Sequence, residues 1–232
     1  MVAAVANHKL KPNMKGICYF DIETGPLSTA VLQRRLAAIR APANYKDPLK
    51  IAEYIREEHE AMLDKAALSP LTGRVLALAL LKPAMQAGDS LEIVSCEDES
   101  CILSRFWELC ELAANNSKFR LCGFNIHEFD IPFLVKRSWA LGVRVPHQLT
   151  GDGWSRYHFT WWLIDLRKIW GISDYRPEGS LNDICIHLGI GEKKGSGKDF
   201  AKLWASDRKA AIAYCTDEIY KIEQVAQRLG VS

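Results

Sequence analysis

The 232-residue chain lacks several features that would narrow its class at once. No two of its seven cysteines (Cys18, Cys96, Cys101, Cys110, Cys122, Cys185 and Cys215) have the Cys-x2-Cys spacing of a zinc site or a redox pair. Their odd number fits no closed disulfide framework, so they read as reduced, mostly buried thiols. No stretch approaches the roughly 18 apolar residues of a membrane span, and no membrane partner is expected. The opening run from Met1 to Lys9 has too few apolar residues and no basic leader for a signal peptide. A cytoplasmic protein is therefore expected, in which the sequon Asn115-Asn116-Ser117 is a chance match. An excess of one charge is also missing. Thirty basic against 28 acidic residues leave a formal charge of +2, which excludes the global basic excess of a nonspecific nucleic-acid coat protein. Any polyanion site must be local. Internal repeats and low-complexity segments are absent too.

What remains is an ordinary globular composition, 48% hydrophobic and 25% charged. A chain of this length removes about 70% of its unfolded surface from water, enough to fold without a disulfide or structural metal. One domain spanning residues 1–232 is expected. Residues 16–22, Gly-Ile-Cys-Tyr-Phe-Asp-Ile, form a short apolar run closed by polar residues and Gly25-Pro26, which predicts a buried strand. Residues 28–68 carry dense mixed charge with Ala and Leu at helical intervals, broken by Ala-Pro-Ala-Asn and Asp-Pro, which predicts two helices inserted after that strand. Further strands are expected at 74–81, 91–95, 119–124 and 161–166, and helices at 100–113, 129–141, 181–188 and 207–229. Neighbouring strands early and helix–strand alternation later predict an α/β fold, a mixed sheet flanked by helices.

Three segments carry possible chemistry. In Tyr19-Phe20-Asp21-Ile22-Glu23-Thr24-Gly25, strand alternation sends Asp21 and Glu23 to one face near the strand's carboxyl end. Two carboxylates there repel each other and raise a carboxyl pKa unless a cation sits between them, so a divalent metal explains them best. In the segment from Gly123 to Leu134, an apolar strand ends at Asn125 and Asp130 opens the next helix, with Pro132 just inside its start. Asp130 reads either as a helix cap or as a ligand. In the last helix, Ile212, Cys215, Ile219, Ile222, Ala226 and Leu229 define a buried stripe. Tyr214 and Glu218 share a face. At about 100° per residue, Glu218 lies roughly 70° from the stripe's centre and Asp217 roughly 170° away. Glu218 is expected at the core boundary and Asp217 in solvent.

Together these segments resemble the DEDD-type 3′-to-5′ exonucleases, the proofreading branch of the ribonuclease H-like superfamily. The Asp-x-Glu motif matches Asp21 and Glu23, and Asn-x3-Phe-Asp matches Asn125, Phe129 and Asp130. The Tyr-x3-Asp motif of the tyrosine subclass is met at Tyr214, but Glu218 stands where that subclass has Asp, with Asp217 one place earlier. The inserted helices are similar to those of the predicted polymerase-B-like exonuclease group. The resemblance implies a ribonuclease H-like fold and cleavage at the 3′ ends of single-stranded DNA or RNA. It also implies two Mg²⁺ or Mn²⁺ ions held by Asp21, Glu23, Asp130 and Glu218. Tyr214 would orient water or phosphate, and Thr24, Asn125 and Phe129 would touch substrate. Because the extra methylene of Glu218 displaces its carboxylate, catalysis would be weakened, shifted to the more tolerant manganese or rescued by Asp217, and the competing reading is an impaired family member that binds ends or a partner without cutting.

Other segments leave two readings each. Trp154, Arg156, Tyr157, His158, Phe159, Trp161 and Trp162 would stack on bases or form strand core. Asp165 would approach the site or cap a helix. The loop around Lys193, Lys194 and Lys198 fails the P-loop pattern, and its lysines would touch a phosphate backbone or face water, as would Arg34, Arg35 and Arg40.

Overall fold

A computed structural model of the chain describes residues 14–83, 91–150, 161–174 and 176–231. Strand β1 (Gly16–Pro26) is followed by helices α1 (Thr29–Leu36) and α2 (Pro48–Ala66), strands β2 (Gly73–Leu81) and β3 (Leu91–Val94), and helix α3 (Glu99–Ala114). Then come β4 (Phe119–Gly123), α4 (Asp130–Leu141), β5 (Leu163–Asp165), α5 (Leu166–Gly171), α6 (Leu181–His187), α7 (Phe200–Ser206) and α8 (Arg208–Arg228). The strands form one five-stranded sheet in the order β3-β2-β1-β4-β5. β1 pairs antiparallel with β2 and parallel with β4, so the sheet is mixed, and helices cover both faces.

Both faces of β1 are therefore dry, which explains its near-continuous apolar run. Cys18, Phe20 and Ile22 pack toward the core shared with α3 and α4. Ile17 and Tyr19 point the other way, into a core built with α6, α7 and α8. Helix starts follow local chemistry. Asp98 caps α3 by accepting from the Ser100 N–H at 2.9 Å, and Ser180 and Asp183 form a reciprocal capping box on α6. The inserted pair α1–α2 buries little against the body, its core consisting of Leu32, Leu36 and Ala66 with half-buried neighbours.

Several expectations need correction. Ile212, expected on the buried stripe of α8, is 38% exposed, because α7 covers the helix start from another side through Ala211 and Tyr214. The short helix α7 falls in a stretch where the pattern predicts no element, and α5 begins at Leu166, the last residue of the strand expected at 161–166. Cys96 and Cys101, expected as thiols, form a disulfide across the start of α3, with Cα atoms 6.2 Å apart. The other five cysteines are free and buried. No helix among the described residues is long and apolar enough to cross a membrane. Trp154, Arg156, Tyr157, His158 and Phe159 lie outside the described residues. Of their neighbours, Trp162 is core and Trp161 is 55% exposed.

Candidate metal centre

The site begins with the pleat of β1. Asp21 and Glu23 sit on the face that carries Tyr19, opposite Ala79 and Ala77 of β2, whose small side chains leave room above the sheet. α8 fills that room. Its buried face carries Tyr214, Cys215, Glu218 and Ile219, so one helical turn delivers both the phenol and the carboxylate. Oxygens of Asp21, Glu23 and Glu218 all lie within 4.8 Å of one another. A bulge between Glu23 and Thr24 ends the regular register just beyond them.

Asp130 reaches the same cavity from another direction. β4 pairs with β1 only from Gly16 to Tyr19, which leaves the Ile22 N–H without a strand partner. The Asp130 carboxylate accepts from that N–H at 3.3 Å. Asp130 is the first residue of α4 and does not cap it, since Phe129 occupies the cap position. Asp130 therefore lines the cavity without capping α4, and it stands outside the close triad.

The chain can turn away after β4 because Asn125 adopts φ 60°, the left-handed region that Asn tolerates better than most residues. Asp165 secures this turn. Its carboxylate accepts from the N–H groups of Asn125 at 2.8 Å and His127 at 3.0 Å, and from Arg167 at the start of α5 at 2.9 Å. Asp165 is thus a cap and a brace for the turn, and the capping alternative is the one realised. Gly123 is required here, because a Cβ would lie 2.7 Å from the Phe20 carbonyl oxygen.

A cavity of about 260 Å³ opens over these residues, lined by Asp21, Glu23, Asp130, Tyr214 and Glu218 together with Asn125, Phe129, Arg167 and Lys193. Burial, then repulsion from Glu218, Asp130 and Glu23, holds the Asp21 carboxyl well above the ordinary range. Glu23 is raised in the same way, by burial and then by Glu218. Burial lifts Asp130 to about 7 against the opposing hydrogen bond from Ile22. The Tyr214 hydroxyl is pushed up by burial and by Glu218, so it stays a donor. Lys193 partly compensates. Its Nζ donates to Glu218 Oε1, and its backbone N–H is pinned by Asn182 Oδ1 at 2.7 Å. Glu218 Oε2 is buried and has no hydrogen-bond partner among the described residues. A crowded set of oxygen donors with one orphaned buried oxygen fits a hard divalent cation.

Not every residue expected at the site reaches it. Thr24 turns its hydroxyl to the Ala67 carbonyl at 2.7 Å and serves the fold. Lys194 and Lys198 are exposed on the loop that carries Lys193. Asp217 is partly buried, not in open solvent, and pairs with Lys221 at 3.0 Å outside the cavity. Arg167 escapes a reading of the sequence altogether, because nothing in its surroundings separates it from a surface arginine.

Residues 71–221, more than half of the chain, match the family described as "Predicted 3'-5' exonuclease related to the exonuclease domain of PolB". The chain belongs to this family. The matched stretch of the PolB-related exonuclease family includes Asp130, Tyr214 and Glu218, whereas Asp21 and Glu23 precede it. Among solved structures, the family B DNA polymerase from the hyperthermophilic archaeon Pyrobaculum calidifontis is similar, with a TM-score of 0.55 and 19% identity. The similarity covers 96% of this chain and 25% of the polymerase, so the chain spans about a quarter of that protein's length. At this identity the likeness speaks for the fold, which agrees with the ribonuclease H-like architecture. No curated protein matches the chain.

Proposed function

We propose that the protein is a metal-dependent 3′-to-5′ exonuclease of the tyrosine subclass, hydrolysing phosphodiester bonds at the 3′ ends of single-stranded DNA or RNA. The observation that carries this reading is the convergence of Asp21, Glu23 and Glu218 within 4.8 Å, with one buried Glu218 oxygen unpartnered among the described residues. Membership of the PolB-related exonuclease family supports it.

Asp21, Glu23 and Glu218 would hold two Mg²⁺ or Mn²⁺ ions, with Asp130 completing the set from the α4 side. When bound, such ions supply a water nucleophile at neutral pH and charge for the leaving 3′ oxygen. The protein does the positioning. Tyr214 keeps its proton and donates it as a hydrogen bond to the attacking water or the scissile phosphate. Phe129 and Asn125 form the wall against which the terminal nucleotide rests. Lys193 places a cation beside the acids, where it faces the phosphate, and Lys194 and Lys198 meet the backbone further out. The Thr24 hydroxyl is committed to Ala67, so any substrate contact of Thr24 uses its backbone.

A second reading, an impaired member that binds ends without cutting, is favoured by one observation only. Glu218 replaces the shorter aspartate and is already engaged by Lys193. The deciding experiment incubates 5′-labelled single-stranded DNA and RNA with the protein in Mg²⁺, Mn²⁺ or EDTA, beside Asp21→Ala. Metal-dependent shortening from the 3′ end that disappears in the variant is the expected outcome. Retained binding without shortening in either metal would establish the second reading.

A further inference from the structure

The inserted helices present a second feature that the acid cluster does not explain. Between residues 34 and 50 the chain carries Arg34, Arg35, Arg40, Lys46 and Lys50 against the single acid Asp47, in a protein whose total formal charge is +2. All five basic residues are exposed. The returning helix has the opposite balance, since residues 51–66 hold five acids against Arg56 and Lys65. Charge is therefore segregated along the insertion, with the basic half in the end of α1 and the connection to α2. Beside it Tyr45 and Tyr54 stack edge-on with ring centroids 5.5 Å apart, and Tyr45 is 37% exposed. Burial does not account for this segment, because α2 contributes only Ala66 to a core.

The insertion is nevertheless fixed relative to the acids. It leaves directly from the strand that bears them, and both of its ends are tied to that neighbourhood. The Leu27 N–H donates to the Thr72 carbonyl at 2.8 Å, and Thr24, next to Glu23, donates to the Ala67 carbonyl at 2.7 Å. Asp47 caps α2 through the Leu49 N–H at 2.9 Å with Pro48 in the first turn, so the tip is locally encoded and not frayed. At 19 residues, α2 is about 28 Å long.

We propose that the α1–α2 insertion is a phosphate-tracking arm, which grips the backbone of the same nucleic-acid strand upstream of the 3′ end held at the acid cluster. This rests on the exonuclease reading and adds to it a second binding site. The ligand class is single-stranded nucleic acid. Arg34, Arg35, Arg40, Lys46 and Lys50 neutralise phosphates, and exposed Tyr45 offers one face to a base.

The test compares the wild-type protein with a variant carrying Arg34→Glu, Arg35→Glu, Arg40→Glu and Lys46→Glu. All four positions are exposed, and circular dichroism with thermal unfolding verifies that the variant folds. Two readouts are taken. Binding of a 20-nucleotide single strand is measured in EDTA over a salt series. The variant should bind at least tenfold more weakly at 50 mM salt, and the slope of log K against log salt should become shallower by about 0.7 for each phosphate that is no longer neutralised. In Mn²⁺, the ratio of kcat/KM for the 20-mer to that for a dinucleotide should fall by a similar factor. Equal binding and an unchanged ratio would overturn the arm. If the wild type cleaves neither substrate, the exonuclease reading fails by itself, and the binding series alone decides whether the arm holds nucleic acid. Glu57→Lys with Glu58→Lys is the opposite control. Tighter binding is expected, and a loss equal to that of the arm variant would show that charge reversal only unfolds the insertion.

Discussion

Two buried acidic sites in this protein have opposite solutions to the same electrostatic problem. At one, Glu99 in the first turn of α3 is fully answered. Arg137 of α4 donates to it from Nε at 3.0 Å and from a terminal nitrogen at 2.6 Å, the Val75 N–H donates at 2.8 Å, and a further Arg137 nitrogen reaches the Pro70 carbonyl at 3.3 Å. Charge, donors and acceptors balance, and the cluster locks α3, α4 and the start of β2 together. At the other, Asp21, Glu23, Asp130 and Glu218 share one lysine among the described residues, three of the carboxyls are held above their ordinary range, and an oxygen has no partner within that same set of residues. The two clusters thus differ in how far the protein itself answers its buried charge. Structure satisfies its charges internally, whereas a binding site leaves a deficit for a ligand to fill.

The contrast can be broken at its strongest point first. Arg137→Ala strands the Glu99 carboxylate and should cost about 3–5 kcal/mol of stability, lowering the melting temperature by about 10 °C or more. Adding Glu99→Leu should restore most of that loss in chemical denaturation. If Arg137→Ala is neutral, the first cluster is not the clamp described. At the second cluster the largest effect should be on turnover. Glu218→Gln is expected to reduce 3′ cleavage on the order of a hundredfold, about 2.7 kcal/mol, while the melting temperature without metal stays level or rises, because repulsion is relieved. Asp217→Asn, which disturbs only the pair with Lys221 outside the cavity, should change activity less than threefold. Equal damage from the two, measured side by side on one labelled strand, would move the third ligand to Asp217.

A cumulative effect concerns pH. Asp130 has a folded pKa of about 7, above its unfolded value near 3.9, so between about pH 4 and 7 the folded state holds a proton that the unfolded chain releases. Stability in EDTA should therefore decline as pH rises through that window, by about 1 kcal/mol per pH unit at the steepest. Asp21 and Glu23 add to the decline in the same direction. Asp130→Asn keeps an oxygen for the Ile22 N–H and should flatten the curve. Saturating Mn²⁺ should flatten it as well, since the cation replaces the protons. A stability that rises from pH 4 to 7, with no difference in the variant, would contradict the raised carboxyls.

Much of this is legible in the sequence where a single period decides the matter. The two-residue repeat of β1 puts Asp21 and Glu23 together, and helical spacing favours Glu218 over Asp217 before any contact is known. Ile212 shows the limit of that reasoning, because periodicity gives a helix one buried face and says nothing of α7 covering only part of it. Residues whose role depends on distant chain are illegible for a different reason. Asp165 is 40 positions from Asn125, and Lys193 is 25 from Glu218, so neither hydrogen bond leaves a local pattern. The disulfide between Cys96 and Cys101 is hidden because its short spacing matches no familiar motif.

Pairing of β1 with β2 continues to Pro26 opposite Gly73, so everything from residue 27 to 72 amounts to one greatly enlarged hairpin loop. Closing a long loop costs only slightly more entropy than closing a short one. The strand bearing the acids keeps its pairing with β2 beneath the excursion, touching it chiefly through the Thr24 bond to Ala67. Lengthening, trimming or exchanging that excursion alters reach and grip while the chemistry beneath keeps its geometry.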